Sequence, residues 1–411
     1  SPAPRYHARD VAIVRAQRLG ATVILGSATP SLESHHNAAR RKFHRLVLSR
    51  RIGTAELPRV EVIDMARETA DAAEPSPLSR PLRDALAARL ERGEQSIVLL
   101  NRRGFAAFVR CAGCGKVLRC DHCDVAQTWH RRRGLLVCHW CESARRMPPA
   151  CPECESENLI PVGLGTQRIE EVLAAEFPDA RLRRIDLDTT RGKDAFLVHW
   201  REISEGRVDI ILGTQMIAKG LDLPRVTLVG VISADQTLFL PDFRASERAF
   251  QLLTQVAGRA GRADLPGEVL IQTFVPHHWA IRCAIEHDFE AFFAKEMKMR
   301  RLLRFPPAQR MASMLFSGEQ EASVSAAAKR MGEICDTIRH LDEMRETLTT
   351  VGPAPAPIAR LSDRWRWRLL LRSSSARALH RALALAGEEY SRRSPPRGVQ
   401  LTIDVDPMDL L

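Results

Sequence analysis

Short runs of consecutive apolar residues alternate along this chain with stretches in which apolar positions recur every three or four residues. Val11, Val14 and Leu19 carry helical spacing over His7 to Leu19, and Ala21-Thr22-Val23-Ile24-Leu25 reads as a short strand ending in Gly26-Ser27-Ala28-Thr29-Pro30. A helix is predicted from Ser31 to about Lys42, followed by strands near Leu46 and Val60. From Leu78 the alternation becomes regular. Leu82, Leu86 and Leu90 mark a helix, and Ser96-Ile97-Val98-Leu99-Leu100 is a strand of the buried type. After a cysteine-rich interruption, helices are predicted at 166–176, 193–204 and 245–259, and strands at 181–187, 208–213, 226–232 and 268–274. Continuously apolar strands separated by helices imply right-handed crossovers and a parallel sheet covered on both faces.

Beyond Pro276 the pattern changes. One helix of about 25 residues should end at Phe305-Pro306-Pro307. A strand (309–316), a helix (321–341), a Pro-rich turn (Gly352 to Pro357), a strand (365–371), a helix (375–390) and a strand (399–405) then suggest a small α+β domain. The chain therefore divides into 1–65, an exposed linker at 66–77, an α/β domain at 78–275 with an insertion at 106–160, and a C-terminal α+β domain at 276–411.

Composition narrows the class. With 411 residues, 45% apolar and 27% charged, this is an ordinary globular chain of two to four domains. Its apolar runs, Val226 to Ala234 among them, fall short of the ~18–20 residues of a membrane span. Ser1-Pro2-Ala3-Pro4-Arg5 lacks the apolar core of a signal peptide. The net charge of +11 points to a polyanionic partner, while 5% aromatics rules out widespread base stacking.

Eight of the ten cysteines form four Cys-x-x-Cys pairs: Cys111/Cys114, Cys120/Cys123, Cys138/Cys141 and Cys151/Cys154. Paired thiols in a chain too long to need disulfide staples indicate metal, and favour the cytosol. Two pairs close one tetrahedral Zn²⁺ site, and four pairs make two sites in three possible ways. Nesting is favoured because the inner pairs enclose a zinc-ribbon-like spacing. Cys120, Cys123, Cys138 and Cys141 would then bind one ion, and Cys111, Cys114, Cys151 and Cys154 the other. Each site would be filled by sulfur, leaving no open position for catalytic water, and redox pairs do not come in fours. Two such sites lower the formal charge to about +7, still basic.

Gln255-Val256-Ala257-Gly258-Arg259-Ala260-Gly261-Arg262 closes an amphipathic helix, and its two arginines, three apart, share a face. Guanidinium groups suit the equatorial oxygens of a transferring phosphoryl group. Gly213-Thr214-Gln215-Met216-Ile217-Ala218-Lys219-Gly220 follows a strand, where a backbone and a hydroxyl can reach phosphates at the sheet's carboxyl edge.

With these motifs the chain resembles the PriA family of primosomal replication-restart DNA helicases, in helicase superfamily 2. Gly26-Ser27-Ala28-Thr29-Pro30 is similar to the superfamily's third motif. Asn101-Arg102-Arg103-Gly104-Phe105 leads into the two-zinc insertion as in that family, and Gly163-Leu164-Gly165-Thr166-Gln167 resembles the loop behind it. Gly213 to Asp222 is similar to the fifth motif, and Gln255 to Arg262 to the sixth. Arg364-Trp365-Arg366-Trp367 and Ile403-Asp404-Val405-Asp406-Pro407 match the family's C-terminal domain.

The resemblance implies RecA-like lobes, the first partial and ending near residue 65, and ATP-dependent 3′–5′ unwinding of DNA at stalled forks with Mg²⁺. It implies Arg262 as arginine finger, Arg259 as a second phosphate contact and Gln255 beside them. Gly26, Ser27, Thr29, Gly220 and Asp222 would couple nucleotide state to DNA, with Thr214 on the DNA backbone; Lys219, Arg102, Arg103 and Arg366 are expected from their charge to be further DNA contacts. Lys42, Arg364 and Arg368 would receive single-strand DNA-binding protein, although Arg368 stands where the family has Gln. Other primosome proteins would be partners, the location the bacterial cytoplasm and nucleoid, and no membrane is involved.

Two elements of that family's motor are missing from the sequence. Neither Gly115-Lys116-Val117 nor Gly192-Lys193-Asp194 completes a Walker A loop, and Asp342-Glu343-Met344-Arg345 is not Asp-Glu-x-His. The expectation is a C-terminal fragment, inactive alone. The competing expectation is a non-catalytic, zinc-stapled DNA- and protein-binding factor of primosome assembly.

Finally, residues 360–397 hold ten arginines against Asp363, Glu388 and Glu389. Arg364, Arg366, Arg368 and Arg372 alternate with apolar residues. The strand should turn Trp365, Trp367, Leu369 and Leu371 inward and the arginines outward, toward phosphates or an acidic peptide.

Overall fold

The computed structural model describes all residues except 1–5, 49–57, 71–75, 101–107, 112, 115, 124, 131–133, 139–140, 142, 163–165, 187–194, 215–216, 218–222, 224, 261–265, 394–395 and 411. The backbone packs into two units: residues 1–44, 121–125 and 297–411, and residues 45–120 and 126–296.

Helix α1 (Ala8–Leu19) starts on the His7 ring, which accepts from Arg9 N, and stops at Gly20 with φ 64°. Helix α2 (Leu32–Ala39) starts on Ser31, whose hydroxyl accepts from Ser34 N at 3.2 Å. Between them residues 21–27 form no strand, in contrast to the prediction for Ala21 to Leu25, and Leu46 also lies outside any strand. Ile24 and Leu46 are 90% and 91% exposed. An apolar run becomes a strand only when another strand satisfies its backbone, and none among the described residues does so here.

The chain continues through β1 (Arg59–Asp64), α3 (Met65–Ala70), α4 (Arg80–Glu91) and β2 (Gln95–Leu100). The cysteine-rich block contains β3 (Phe108–Cys111), β4 (Thr128–His130), β5 (Leu135–Val137), β6 (Ala144–Arg146) and β7 (Leu159–Val162). Then come α5 (Thr166–Glu176), β8 (Leu182–Ile185), α6 (Ala195–Ser204), β9 (Ile210–Gly213), β10 (Val226–Ile232), α7 (Asp235–Leu238), α8 (Ala245–Ala257) and β11 (Glu268–Thr273).

Six strands form one parallel sheet in the order β1-β11-β10-β2-β9-β8. Every residue of β2, β9 and β10 is buried, as uninterrupted apolar runs require. Leu82 and Leu86 of α4, Ile169 and Leu173 of α5, and Leu212, Leu228 and Ile232 of the sheet share one core. Strand β1 lies along β11 from Arg59↔Glu268 to Asp64↔Thr273. A division at residue 65 would therefore remove an edge strand from this sheet. The cysteine-rich block forms its own antiparallel sheet, β6-β5-β4-β3-β7, over a small core of Val109, Leu118 and Leu136.

The single helix predicted after Pro276 is two: α9 (Trp279–Ile285) and α10 (Phe289–Leu302). His287 at φ 52° breaks the helical path, and the Asp288 carboxylate restarts it by accepting from Ala291 N at 2.8 Å.

The last segment runs β12 (Arg310–Gly318), α11 (Glu321–Arg339), β13 (Leu348–Leu361), β14 (Arg364–Ser373), α12 (Ala376–Arg392) and β15 (Gln400–Val405). Its antiparallel sheet has the order β13-β14-β12-β15, the split β-α-β-β-α-β arrangement of the ferredoxin-like plait. Both helices enter one core with Met314, Phe316, Leu369 and Leu371. The Pro-rich segment is not a turn but part of edge strand β13. An edge tolerates residues with no N–H to donate, and the register shifts between Val351 and Ala354 and between Pro355 and Arg360.

Candidate metal centres and sheet-edge motifs

The eight paired cysteines converge as two groups of four: Cys111, Cys114, Cys151 and Cys154, and Cys120, Cys123, Cys138 and Cys141. Within each group the donor atoms lie within 4.8 Å of one another. Cys111 and Cys154 Sγ are 3.6 Å apart, Cys114 and Cys151 Sγ 3.7 Å, and Cys120 and Cys141 Sγ 3.6 Å. Metal–sulfur bonds of about 2.3 Å in a tetrahedron give edges of roughly 3.8 Å, so the spacing fits zinc. No disulfide joins any of the ten cysteines.

Local hydrogen bonds shape the Cys-x-x-Cys turns. Cys111 N donates to Lys116 O at 2.8 Å, Cys138 N to Ser143 O at 2.9 Å and Cys151 N to Ser156 O at 2.9 Å. In each the first cysteine binds the carbonyl five residues on, curling the turn around its two sulfurs. Within the outer group the thiols shift in opposite directions: backbone N–H donation, led by Cys114, draws Cys111 down to about 6, while Cys154, despite donation from Ser156 N–H, is pushed up to about 12 by the neighbouring Cys114 and Cys111 sulfurs. Cys283 and Cys335 are buried elsewhere, and burial pushes the Cys335 thiol up to about 12.

At the carboxyl edge of the parallel sheet, Gly213 ends β9 and Thr214 follows it. A Cβ on Gly213 would stand 2.5 Å from Ile185 O, so packing against β8 alone demands glycine there. Gln255 lies in the last turn of α8, and Arg259 in the turn after it, with Arg259 N donating to Val256 O at 2.9 Å. Arg262, Lys219, Gly220, Asp222, Arg102 and Arg103 lie outside the described residues.

Three carboxylates at this edge are not singled out by any sequence motif. Asp235, just past β10, accepts from the Thr273 hydroxyl and from Phe274 N, tying together the ends of β10 and β11. Asp186, just past β8, accepts from Thr166 Oγ1 at 2.9 Å and faces Arg184 Nε at 3.2 Å. Asp242 pairs with Arg248 at 3.1 Å beside the buried Arg244–Glu247 pair, anchoring the start of α8. For Asp186 and Asp235 the available signal was a single acidic residue just past an apolar strand; Asp242, between α7 and α8, carried no such signal.

In the other unit Ser27 Oγ accepts from Thr29 N at 3.1 Å, Thr29 is buried and Gly26 faces open space. Lys42 is exposed. Trp365 and Trp367 pack against the plait core, and Leu369 and Leu371 are fully buried. The arginines on the opposite face of β14 are largely engaged within the chain. Arg364 donates to Ser317 O at 2.9 Å, and Arg372 donates to Leu303 O at 2.8 Å over the Phe305 ring. Arg366 is buried beside Ile358 O, and Arg368 is half-buried.

Three family models match this chain: the primosomal protein N C-terminal domain at residues 301–408, the PriA DNA helicase Cys-rich region at 120–146, and the helicase conserved C-terminal domain at 164–264. The replication restart protein PriA of Bacillus subtilis is 42% identical over 98% of this chain and 49% of its own length. That of Haemophilus influenzae is 40% identical over 99% of this chain and 54% of its own. The chain thus spans about half the length of these relatives. Among solved structures, S. cerevisiae Dbp5 bound to RNA and ADP BeF3 is 14% identical, with coverage of 72% and 60% and a TM-score of 0.34. RecG bound to a three-way DNA junction is 14% identical, with coverage of 67% and 30% and a TM-score of 0.32. With the helicase domain, the Cys-rich region and the C-terminal domain all matched in one chain, the protein matches the C-terminal half of the PriA replication restart proteins over nearly its whole length.

Proposed function

We propose that this chain is the motor-completing and fork-handling part of an ATP-dependent 3′–5′ DNA helicase that restarts replication. One observation carries this reading. The helicase C-terminal match spans 164–264, taking in both the Gly213–Asp222 and Gln255–Arg262 motifs, which follow β9 and α8 of a parallel sheet. ATP would supply the phosphoryl transfer that drives movement.

The chain's own contribution is the arginine side of that site. Arg262 and Arg259 would stabilise charge on the transferring phosphoryl group, with Gln255 alongside. Thr214 and Lys219 would follow the DNA backbone, and the two zinc sites would keep the cysteine-rich block folded. No Walker A loop or Asp-Glu-x-His is present in these residues, and in this reading a further lobe would supply the phosphate cradle and the Mg²⁺ ligand. Single-strand DNA-binding protein and other primosome proteins would be partners, in the bacterial cytoplasm.

The test compares ATP hydrolysis and fork binding. The chain alone should bind fork DNA with steep salt dependence and show no DNA-stimulated hydrolysis. Joined to a lobe carrying both missing motifs, it should hydrolyse ATP and unwind, and Arg262→Ala should slow turnover roughly 10³-fold. Turnover by the chain alone would refute this division of labour. No turnover in the joined protein would favour the non-catalytic assembly factor.

A further inference from the structure

The outer cysteine group, Cys111, Cys114, Cys151 and Cys154, lies wholly within the unit formed by residues 45–120 and 126–296. Cys111 ends β3 and pairs with Leu159, the first residue of β7, so both Cys-x-x-Cys knuckles sit at one end of that strand pair. Each knuckle supplies one buried and one exposed cysteine: Cys111 and Cys114 in the first, Cys151 and Cys154 in the second. A competing metal ligand therefore meets Cys114 and Cys154 before their buried partners.

Beyond the sulfurs, two contacts span the knuckles. Lys116 Nζ, just past Cys114, donates to Glu153 Oε1, just before Cys154, at 2.5 Å. The partners are 37 residues apart in the chain, so the pair ties one knuckle to the other rather than bracing a single turn. Gly113 makes the second contact. A Cβ there would stand 3.3 Å from Ser156 Cβ and 3.6 Å from Cys111 Sγ, so the first knuckle meets the second through a residue with no side chain. Both members of the ion pair are about half exposed, and solvent screening leaves such a pair little weight in the folding of the whole chain. Metal release asks less than unfolding: the two knuckles need only part, and an ion pair across them opposes that motion directly.

We propose that the Lys116–Glu153 pair is a latch across the solvent side of the outer zinc site, setting the rate at which that site gives up its ion. The two side chains bind no metal; they hold the exposed Cys114 and Cys154 ends of the knuckles together while the four sulfurs bind it. This rests on the two-zinc reading of the cysteine groups. Because the latch is an exposed ion pair, salt should weaken it, and zinc should leave faster at high ionic strength.

Zinc release to a chromogenic chelator tests it in the whole chain. Wild-type protein should start with two equivalents; fewer would defeat the two-zinc reading, and the latch with it. Lys116→Met and Glu153→Gln should each release one of the two equivalents about 3-fold faster, leaving the other unchanged. The double variant should be no faster than either single one, because each already breaks the pair. Exchanging the charges, Lys116→Glu with Glu153→Lys, should bring the rate back toward wild type. Raising ionic strength from about 0.05 M to about 1 M should speed the same phase in wild-type protein more than in the double variant. Unchanged release in both single variants, additive acceleration in the double variant, or equal salt dependence in the wild-type and double-variant proteins would overturn the proposal.

Discussion

Phe250 on α8 and Phe292 on α10 stack nearly face to face, their centroids 4.2 Å apart and their planes 7° from parallel. Both rings are 1% exposed. The pair fixes α10 against the helix that leads into Arg259. Phe292→Ala should cost about 3–5 kcal/mol in denaturant unfolding, because removing the fully buried ring leaves a cavity beside Phe250. A loss below 1 kcal/mol would show that the site collapses freely.

Metal content gives the second expectation. Purified protein should carry two zinc equivalents, and Cys111→Ser should remove the outer ion while the inner one stays, since the two sets share no ligand. Loss of both ions together would mean that the sites fold as one unit.

Arg366 should behave as a structural residue. It is 8% exposed beside the Ile358 carbonyl, so Arg366→Ala should destabilise by about 1–3 kcal/mol through unpaired buried polar groups. The salt dependence of DNA binding should stay as it was. A slope flatter by about one unit would instead identify a phosphate contact.

Asp209 supplies a pH-dependent term. The Arg181 guanidinium, bonded to it at 2.5 and 3.0 Å, holds its carboxyl below the usual range. A depressed folded value means the contribution is fully present above the unfolded value, about pH 4, and is lost as pH falls through the folded one. Arg181→Met should therefore lower stability at pH 7 and shrink the loss seen on acidification from pH 4 to 2. Parallel acid limbs for the two proteins would contradict the pairing.

What could be read from sequence followed the kind of signal involved. Continuous apolar runs such as Ser96–Leu100 and Val226–Ile232 read correctly as buried strands, and the cysteine spacing restricted the metal sites to three pairings. Ala21 to Leu25 misleads because an apolar run does not reveal whether a partner strand will meet it. Proline in Gly352 to Pro357 misleads because an edge strand tolerates what a central one does not. Gly213 suggested an approach to phosphate, yet Ile185 O already requires its missing Cβ. The alternation in β14 correctly sends the tryptophans inward. It cannot show that a neighbouring strand and carbonyl would cover Arg366, since that depends on a register set by residues far away in the chain.

The cysteine-rich sheet is closed by its own first and last strands. Phe108 is paired with Val162 and Cys111 with Leu159, so the chain leaves and returns side by side. The two strands that open and close the block are therefore neighbours. Residues inserted or lost between them leave that pairing of first and last strand in place. A change of length inside the block is thus absorbed within its own antiparallel sheet, and the order of the six-stranded parallel sheet is kept.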